Sequence, residues 1–303
     1  MTELKEQLTE AGLGRIASRL APLVRESVRL TAVKYEEKPT CRLGGRPNLA
    51  PELSWPERED VPLAFIAQLD LAALPEIAGV DLPRSGALYF FYHVAEFAST
   101  IKNRGSFSVL YTKEALATLP LHDFPEQFDD DFRYNCVRLE VEGRALSVPF
   151  PWDPVLASFR LTPEEETRYT EFGSMVMARP APRKALRGAR RNRIGEHEVG
   201  GYPIYIQHDP RLRAELITTG LYPHISGRGL NPATGKPVTS KKDEPLLCKA
   251  EAAMQDWLQL FLIDSEATAD IQWGDMGRLY YLIRKADLKK RRFEKVWMEF
   301  DCY

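Results

Sequence analysis

Three aspartates lie where they could supply carboxylates for general acid–base chemistry. Asp70 and Asp264 each close an apolar run, and Asp275 lies in the segment Trp-Gly-Asp-Met-Gly. In the structural interpretation, each caps a turn, because an aspartate side chain competes well for exposed backbone N–H groups. In the functional interpretation, packing brings Asp70 and Asp264 together beside Gln68, and the carboxylates then serve as general acid and base in a shared groove.

Two tryptophans could line the same groove. Trp273 precedes Gly274 and Asp275, where glycine permits close approach of the backbone to a strand or a ligand. Trp55 precedes Pro56 in a proline-rich loop. Each ring could cover a core edge or stack on a guest molecule. The candidate groove or ligand-binding residues are therefore Trp55, Gln68, Asp70, Asp264, Trp273 and Asp275.

Patterns for metals, nucleotides and activated nucleophiles are missing from the sequence. The five histidines show no H-x-x-H or H-E-x-x-H spacing, and the four cysteines form no C-x-x-C pair. Residues 229–236 only superficially resemble a phosphate loop, since the glycine spacing is wrong and Pro237 follows the lysine. No G-x-S-x-G elbow occurs. We therefore predict no metal site, no cofactor and no catalytic set that can be named.

A basic run between positions 183 and 193 is the candidate partner-binding loop. Its members are Arg183, Lys184, Arg187, Arg190, Arg191 and Arg193. The run lacks the interleaved aromatics that stack on bases, so an acidic protein partner is favoured over nucleic acid. A solvated charged face is the structural alternative.

The hydrophobic pattern predicts the elements that must position these residues. Period-two segments predict strands over residues 27–35, 63–69, 87–93, 107–111, 134–142, 260–263 and 278–283. Helical spacing predicts a helix over residues 3–24, broken near Gly12 and Gly14, and another over residues 244–259. Thr162-Pro163 with Glu165, and Asp209-Pro210, mark two more helix starts. Proline-rich residues 41–62 predict an ordered loop, and residues 226–245 predict a mobile one.

An internal repeat organises most of the chain. Each copy contains a Gly-Gly pair, an apolar strand ending in aspartate, and an aromatic strand that starts after glycine. The landmarks are Gly44, Gly45, Asp70 and Gly86 in the first copy and Gly200, Gly201, Asp264 and Gly277 in the second. We predict an α+β fold: a mixed, largely antiparallel body of two diverged repeats, with an N-terminal helical segment and a few peripheral helices. Its parts are residues 1–40, 41–180 and 181–303, in one compact domain.

These landmarks resemble the YwqG-like family of bacterial proteins, a domain of unknown function. The resemblance rests on Gly44-Gly45-x-Pro47, Trp55-Pro56, Gln68-Leu69-Asp70-Leu71, Gly86-x-Leu88-Tyr89-Phe90-Phe91, Gly201-Tyr202-Pro203 and Ile263-Asp264-Ser265 with Trp273-Gly274-Asp275-x-Gly277. It covers about residues 41–296 in the order of the family. One departure is Leu262, where the family carries a glutamine, so Gln68 has no symmetric partner. The resemblance implies a cytoplasmic bacterial protein and brings no established activity.

The composition limits the possible functions. With 44% hydrophobic and 28% charged residues, the chain has the composition of a folded globular protein. A net charge of -2 gives no general attraction to nucleic acid or to an anionic membrane. The charged first residues do not form a secretory signal, and no apolar run could span a bilayer. Together with unpaired cysteines, these features predict a cytoplasmic location.

The leading functional hypothesis is a non-enzymatic module that binds a protein partner or a small ligand, of the immunity type that neutralises its partner. One alternative is a hydrolase-like or ligand-processing enzyme using Asp70, Asp264 and Asp275. A structural adaptor is the third. The oligomeric state stays open.

Overall fold

The computed structural model describes residues 2–33, 40–94, 101–178, 195–222 and 240–303, which hold a ten-stranded antiparallel sheet with short helices around it. The strands are β1 (Arg25–Ala32), β2 (Arg42–Leu43), β3 (Glu57–Arg58), β4 (Val61–Pro62), β5 (Ala64–Asp70), β6 (Ala87–Tyr92), β7 (Phe107–Thr112), β8 (Val137–Ser147), β9 (His197–Gly200), β10 (Trp257–Asp264), β11 (Arg278–Arg284) and β12 (Trp297–Asp301). The α-helices are α1 (Thr2–Leu8), α2 (Ala17–Leu20), α3 (Pro154–Ala157), α4 (Pro163–Met177), α5 (Pro210–Thr218), α6 (Glu244–Ala253) and α7 (Lys285–Lys289). The α+β prediction is confirmed.

The strand order gives the sheet a central pair and two flanks. The order is β12-β11-β10-β9-β1-β8-β2-β5-β6-β7, with β3 and β4 in a small separate hairpin. Strands β1 and β8 form the centre. We call β2, β5, β6 and β7 the first flank, and β9 to β12 the second flank. Each flank is thus bordered by one of the two central strands.

The sheet folds over so that its flanks face each other. The ring of Phe90 on β6 lies 5.1 Å from that of Phe261 on β10 and 4.9 Å from that of Tyr281 on β11. Five strands separate β6 from β10 in the sheet order, so a flat sheet would place them about 29 Å apart at the usual strand spacing. The space between the flanks is therefore filled by aromatic side chains.

The two flanks share the register of their hairpins. In the first, Asp70 is opposite Ala87 on the neighbouring strand, and the pairing shifts at Ile66. In the second, Asp264 is opposite Arg278, and the pairing shifts at Leu260. Both bulges therefore lie four residues before the aspartate. The hairpins predicted from the landmarks are confirmed as hairpins of the same geometry.

A second, smaller core joins the chain's first helices to the segment after β8. Its buried members include Leu8, Leu13, Leu20, Phe159 and Phe172. Helix α4 begins as the sequence predicts, because Thr162 and Glu165 form a reciprocal capping box and Pro163 occupies the first turn. Helix α5, which begins at Pro210 and ends at Thr218, matches its prediction too.

Several predicted boundaries are wrong. The helix predicted over residues 244–259 ends at Ala253, because Trp257 to Leu260 join β10, where pairing with β9 and β11 outweighs helical spacing. The predicted break of the N-terminal helix near Gly12 is confirmed, since Gly12 has a φ of 76°; the segment forms α1, a π-helical turn (Thr9–Leu13), α2 and a 3₁₀ turn. The proline-rich loop includes β2 to β4, and β9 and β12 were not foreseen. Residues 226–239 of the predicted mobile loop lie outside the described residues, whereas Glu244 already belongs to α6.

Candidate functional site

Asp70 and Asp264 both hold turns, but with different partners. The Asp70 carboxylate accepts the backbone N–H of Ala72 at 3.1 Å. The fully buried Asp264 carboxylate accepts the N–H groups of Ser265 at 2.9 Å and Glu196 at 3.1 Å. An arginine, Arg278, places its Nε 3.5 Å from the same carboxylate. Both aspartates thus bind the backbone, as the capping interpretation expects.

Asp275 has a different environment from these two. It is exposed, and its backbone carbonyl accepts the N–H of Tyr303 at 3.1 Å. None of the partners named for Asp70 or Asp264 is shared with it. The partners named for the three carboxylates within the described ranges therefore differ, whereas paired acid–base groups need to meet at one place.

The predicted aromatic and amide residues are core components. Trp55 is 8% exposed, and its indole N–H donates to the carbonyl of Leu63 at 2.9 Å. Trp273 is 2% exposed and its ring lies 6.2 Å from Tyr92, on the first flank. Gln68 accepts the backbone N–H of Asn48 at 2.9 Å and donates to the carbonyl of Thr40 at 3.0 Å. These residues fasten loops to the core.

The candidate basic loop cannot be placed. Arg183, Lys184, Arg187, Arg190, Arg191 and Arg193 all lie outside the described residues.

An aromatic cluster that the sequence analysis did not single out lies at the surface after β8. The side chain of Trp152 is 41% exposed, and its indole N–H donates to the hydroxyl of Tyr205. The ring of Phe150 lies 5.2 Å from Trp152 and 4.5 Å from Tyr205. The signal for it was present, since Pro151-Trp152 resembles the Trp55-Pro56 pair and Asp153-Pro154 resembles Asp209-Pro210.

A groove of about 520 Å³ runs between this cluster and α4, and we call it the Trp152 groove. It is lined by Pro151, Trp152, Pro163, Glu166, Thr167, Thr170 and Glu171. Glu166 and Glu171 are exposed and make no ion pair within the part of the chain that the structure describes. Their neighbours Glu164 and Glu165 are paired with Arg168 and Arg15 instead. The groove is therefore aromatic and negatively charged.

A buried ion cluster lies next to the groove and anchors the loop that carries Trp152. Asp153 accepts a hydrogen bond from Arg211 at 2.6 Å, and Arg211 also binds Asp209 at 2.5 Å. Gln255 donates to the second oxygen of Asp153 at 3.0 Å. Asp153 and Arg211 are 3% and 1% exposed. Because a buried charge is stable only while its partners are in place, this cluster fixes the position of the loop.

Comparison with known protein families finds a match for most of the chain. The model of the domain of unknown function DUF1963 matches residues 41–302. The chain belongs to this family. No curated protein matches it. The matched range includes the Trp152 groove, both flanks and β8, whereas the first helices and β1 precede it. No helix of this DUF1963 chain, among the described residues, is long and apolar enough to cross a bilayer.

A second polar network in the DUF1963 domain joins α5 to β12. His208 lies with Nδ1 3.6 Å from the carboxylate of Asp301, and its Nε2 accepts a hydrogen bond from Arg213 at 3.1 Å. Burial, with the positive charge of Arg213, lowers the pKa of His208 to about 4. Burial raises the pKa of the neighbouring Glu299 to about 8. Within the described ranges, no group of three or more metal-ligating side chains is arranged to hold an ion.

Proposed function

We propose that this protein is a non-catalytic binding module that holds a cationic segment of a partner protein in the Trp152 groove. The observation that carries the proposal is a half-exposed tryptophan on a loop fixed by buried charges, facing two glutamates without ion-pair partners in the described chain. Tryptophan is the residue that most often dominates binding energy at protein interfaces. It also binds lysine and arginine through cation–π contact.

Charge complementarity selects the occupant. Glu166 and Glu171 bring two negative charges to the groove, and neither is neutralised by a described side chain. A lysine or arginine side chain would lie between these carboxylates and the face of Trp152, so that cation–π and ion-pair contacts act together. Met175, 63% exposed and one helical turn beyond Glu171, extends the surface with an apolar contact.

The contacts of the three aspartates proposed for the enzymatic alternative favour a binding function over catalysis. Asp70 and Asp264 accept backbone N–H groups at separate turns, and Asp275 is exposed and shares none of the partners named for them. The hydrogen bonds of a capping carboxylate orient it toward the backbone of its turn and not toward a substrate.

Fluorescence quenching tests the proposed site directly. The other four tryptophans are at most 8% exposed, so acrylamide should quench Trp152 in preference to them. A short peptide of lysine, arginine, proline and glycine serves as the probe, and the same peptide with glutamate in place of the basic residues is its control. We expect the basic peptide to protect Trp152 from acrylamide and the acidic peptide to leave quenching unchanged.

Substitutions distinguish binding in this groove from general electrostatic attraction of the basic peptide. Trp152→Ala should weaken binding of the basic peptide about tenfold or more, as loss of a central aromatic contact does. Glu166→Gln with Glu171→Gln should weaken it and reduce its dependence on salt. Glu57→Gln with Glu114→Gln removes two exposed charges elsewhere and should change little. Equal binding of both peptides, or full binding by Trp152→Ala, would contradict the proposal.

We also propose an ancestry and a location for the chain. The recurring register and bulge of the two hairpins support an internal duplication, and the residues shared with the YwqG-like group support membership of that bacterial group within the DUF1963 family. Four free cysteines support residence in a reducing cytoplasm.

A role in neutralising a partner follows if the cationic segment that binds the groove belongs to the functional surface of that partner. Co-expression of this protein with such a partner should then suppress the partner's activity. The Trp152→Ala variant should fail to suppress it.

A further inference from the structure

A second cavity adjoins the Trp152 groove, and we call it the Arg160 cavity. Its volume is about 230 Å³, and its lining shares Trp152 and Glu166 with the lining of the groove. The rest of its wall comes mainly from the segment between Asp153 and Leu161. A peptide chain that crosses Trp152 therefore has access to both spaces.

The charge of this cavity differs from that of the groove. Arg160 is exposed and makes no ion pair among the described residues. The carboxylate of Asp153, also in the wall, is buried and bound to Arg211 at 2.6 Å. Glu166 lines both spaces. The Arg160 cavity thus offers an accessible cation beside a groove that is negatively charged.

The backbone holds Arg160 in a conformation that favours glycine. Its φ is 48°, in the left-handed region, where a residue with a long side chain is strained. Arg15 donates to the carbonyls of Phe159 and Arg160, each at 3.3 Å, and pairs with Glu165 at 2.6 Å. Since Phe159 is also buried in the second core, the turn is fixed in the free protein. Strained residues that their surroundings hold in place cluster at binding sites, and here the strained residue carries the unpaired cation.

We infer that the Arg160 cavity binds an acidic side chain, aspartate or glutamate, of the same partner segment whose lysine or arginine occupies the Trp152 groove. This inference rests on the proposed function and specifies the partner further. The acidic side chain pairs with the Arg160 guanidinium, while the nearby basic side chain lies between Trp152 and the carboxylates of Glu166 and Glu171. A segment that carries both charges is therefore preferred over a uniformly basic one, because a second cation would face Arg160.

Matched peptides test the inference on the wild-type protein. They are variants of the basic probe peptide in which one residue, up to three positions from a lysine, is either glutamate or glutamine. Fluorescence titration at low ionic strength measures the affinity of each. At one spacing or more, we expect the glutamate peptide to bind about threefold to fivefold more tightly than its glutamine counterpart, the upper range for an exposed ion pair. The difference should shrink at high salt.

Substitutions assign the preference to Arg160. Arg160→Gln should abolish the preference for glutamate, and Arg160→Glu should reverse it in favour of lysine at the same position of the peptide. Both variants should still bind the basic probe peptide. Arg84→Gln is the matched control, since Arg84 is also exposed and without an ion pair in the described chain, and it should keep the preference. Thermal melting checks that each variant is folded.

The outcomes separate this inference from the proposed function. Equal affinities for the glutamate and glutamine peptides at every spacing, or an unchanged preference in folded Arg160→Gln, would overturn the inference and leave the proposed function standing. Absence of binding by every peptide would refute the proposed function and the inference with it.

Discussion

Gly86 and Gly277 perform the same task in the two flanks of the sheet. A Cβ atom on Gly86 would lie 2.0 Å from the carbonyl oxygen of Thr112, and one on Gly277 would lie 2.4 Å from that of Asp301. In both cases the close carbonyl belongs to the last residue of the outermost strand of the flank, β7 or β12. Each glycine therefore admits an approach between neighbouring strands that any other residue would block.

This relationship predicts a large loss of stability at both glycines. We expect Gly86→Ala and Gly277→Ala each to lower the free energy of unfolding by about 3 kcal/mol, because the added methyl group meets a backbone atom that cannot move alone. Urea denaturation measures the change. Gly220→Ala is the control, since Gly220 has a φ of 75° with open space around it, and should cost only about 1 kcal/mol. Losses at Gly86 and Gly277 no larger than the loss at Gly220 would show that close approach of the strands does not set the requirement for glycine.

The sequence predicted the hairpins because their landmarks are local. An apolar run, a terminal aspartate and a following glycine lie within one supersecondary unit, so the pattern of Asp70 and Gly86 could be recognised again at Asp264 and Gly277. The folding-over of the sheet could not be predicted in this way. It depends on contacts such as that between Phe90 and Tyr281, which only the complete arrangement of strands creates.

The candidate site was harder to predict for a related reason. Trp152 resembles Trp55 in sequence, as both lie beside proline, yet one is half-exposed and the other is buried. What separates them is the surroundings: Trp55 is enclosed by rings such as Phe91, whereas Trp152 is held at the surface by the charge cluster of its neighbour Asp153 with Arg211. That pairing joins residues 58 positions apart, which no local pattern reports.

Removing the arginine of this cluster should destabilise the protein and should also loosen the loop that carries Trp152. Arg211→Met leaves Asp153 and Asp209 buried without their cation, a change that costs about 3–5 kcal/mol in comparable pairs. We also expect stronger acrylamide quenching of Trp152 in the variant below its unfolding transition, because the loop loses its anchor. Arg160→Met, an exposed arginine on the same segment, is the control and should change neither quantity appreciably. Destabilisation without a change in quenching would mean that the cluster does not position Trp152.

The capping box of α4 offers a smaller, local prediction. Thr162 accepts the backbone N–H of Glu165 at 3.2 Å, and the Glu165 carboxylate accepts the N–H of Thr162 at 2.9 Å. Thr162→Ala should lower the free energy of unfolding by about 1 kcal/mol, the usual contribution of such a cap. Thr167→Ala, within the same helix and exposed, should have little effect or stabilise slightly, since alanine favours the helix interior. Equal losses would argue against a role for the cap.

The buried His208 predicts a loss of stability in mild acid. The unfolded chain protonates this histidine below its ordinary pKa of 6.5, whereas the folded chain, with a pKa of about 4, does so only at lower pH. Since the unfolded state then binds more protons, the contribution of His208 is fully present above pH 6.5 and is lost as the pH falls toward 4. At pH 5 the loss should be about 2 kcal/mol.

The substitution His208→Gln isolates this contribution, because glutamine can still accept the hydrogen bond from Arg213 but cannot be protonated. Urea denaturation at pH 7.5 and pH 5 should show the wild type losing about 2 kcal/mol more than the variant. Glu299, whose pKa is raised to about 8, acts in the opposite direction, but it is present in both proteins and cancels in the difference. The exposed His122 provides the matched control, and His122→Gln should follow the wild type. If His208→Gln also followed the wild type at both pH values, protonation of this histidine would have no part in acid destabilisation.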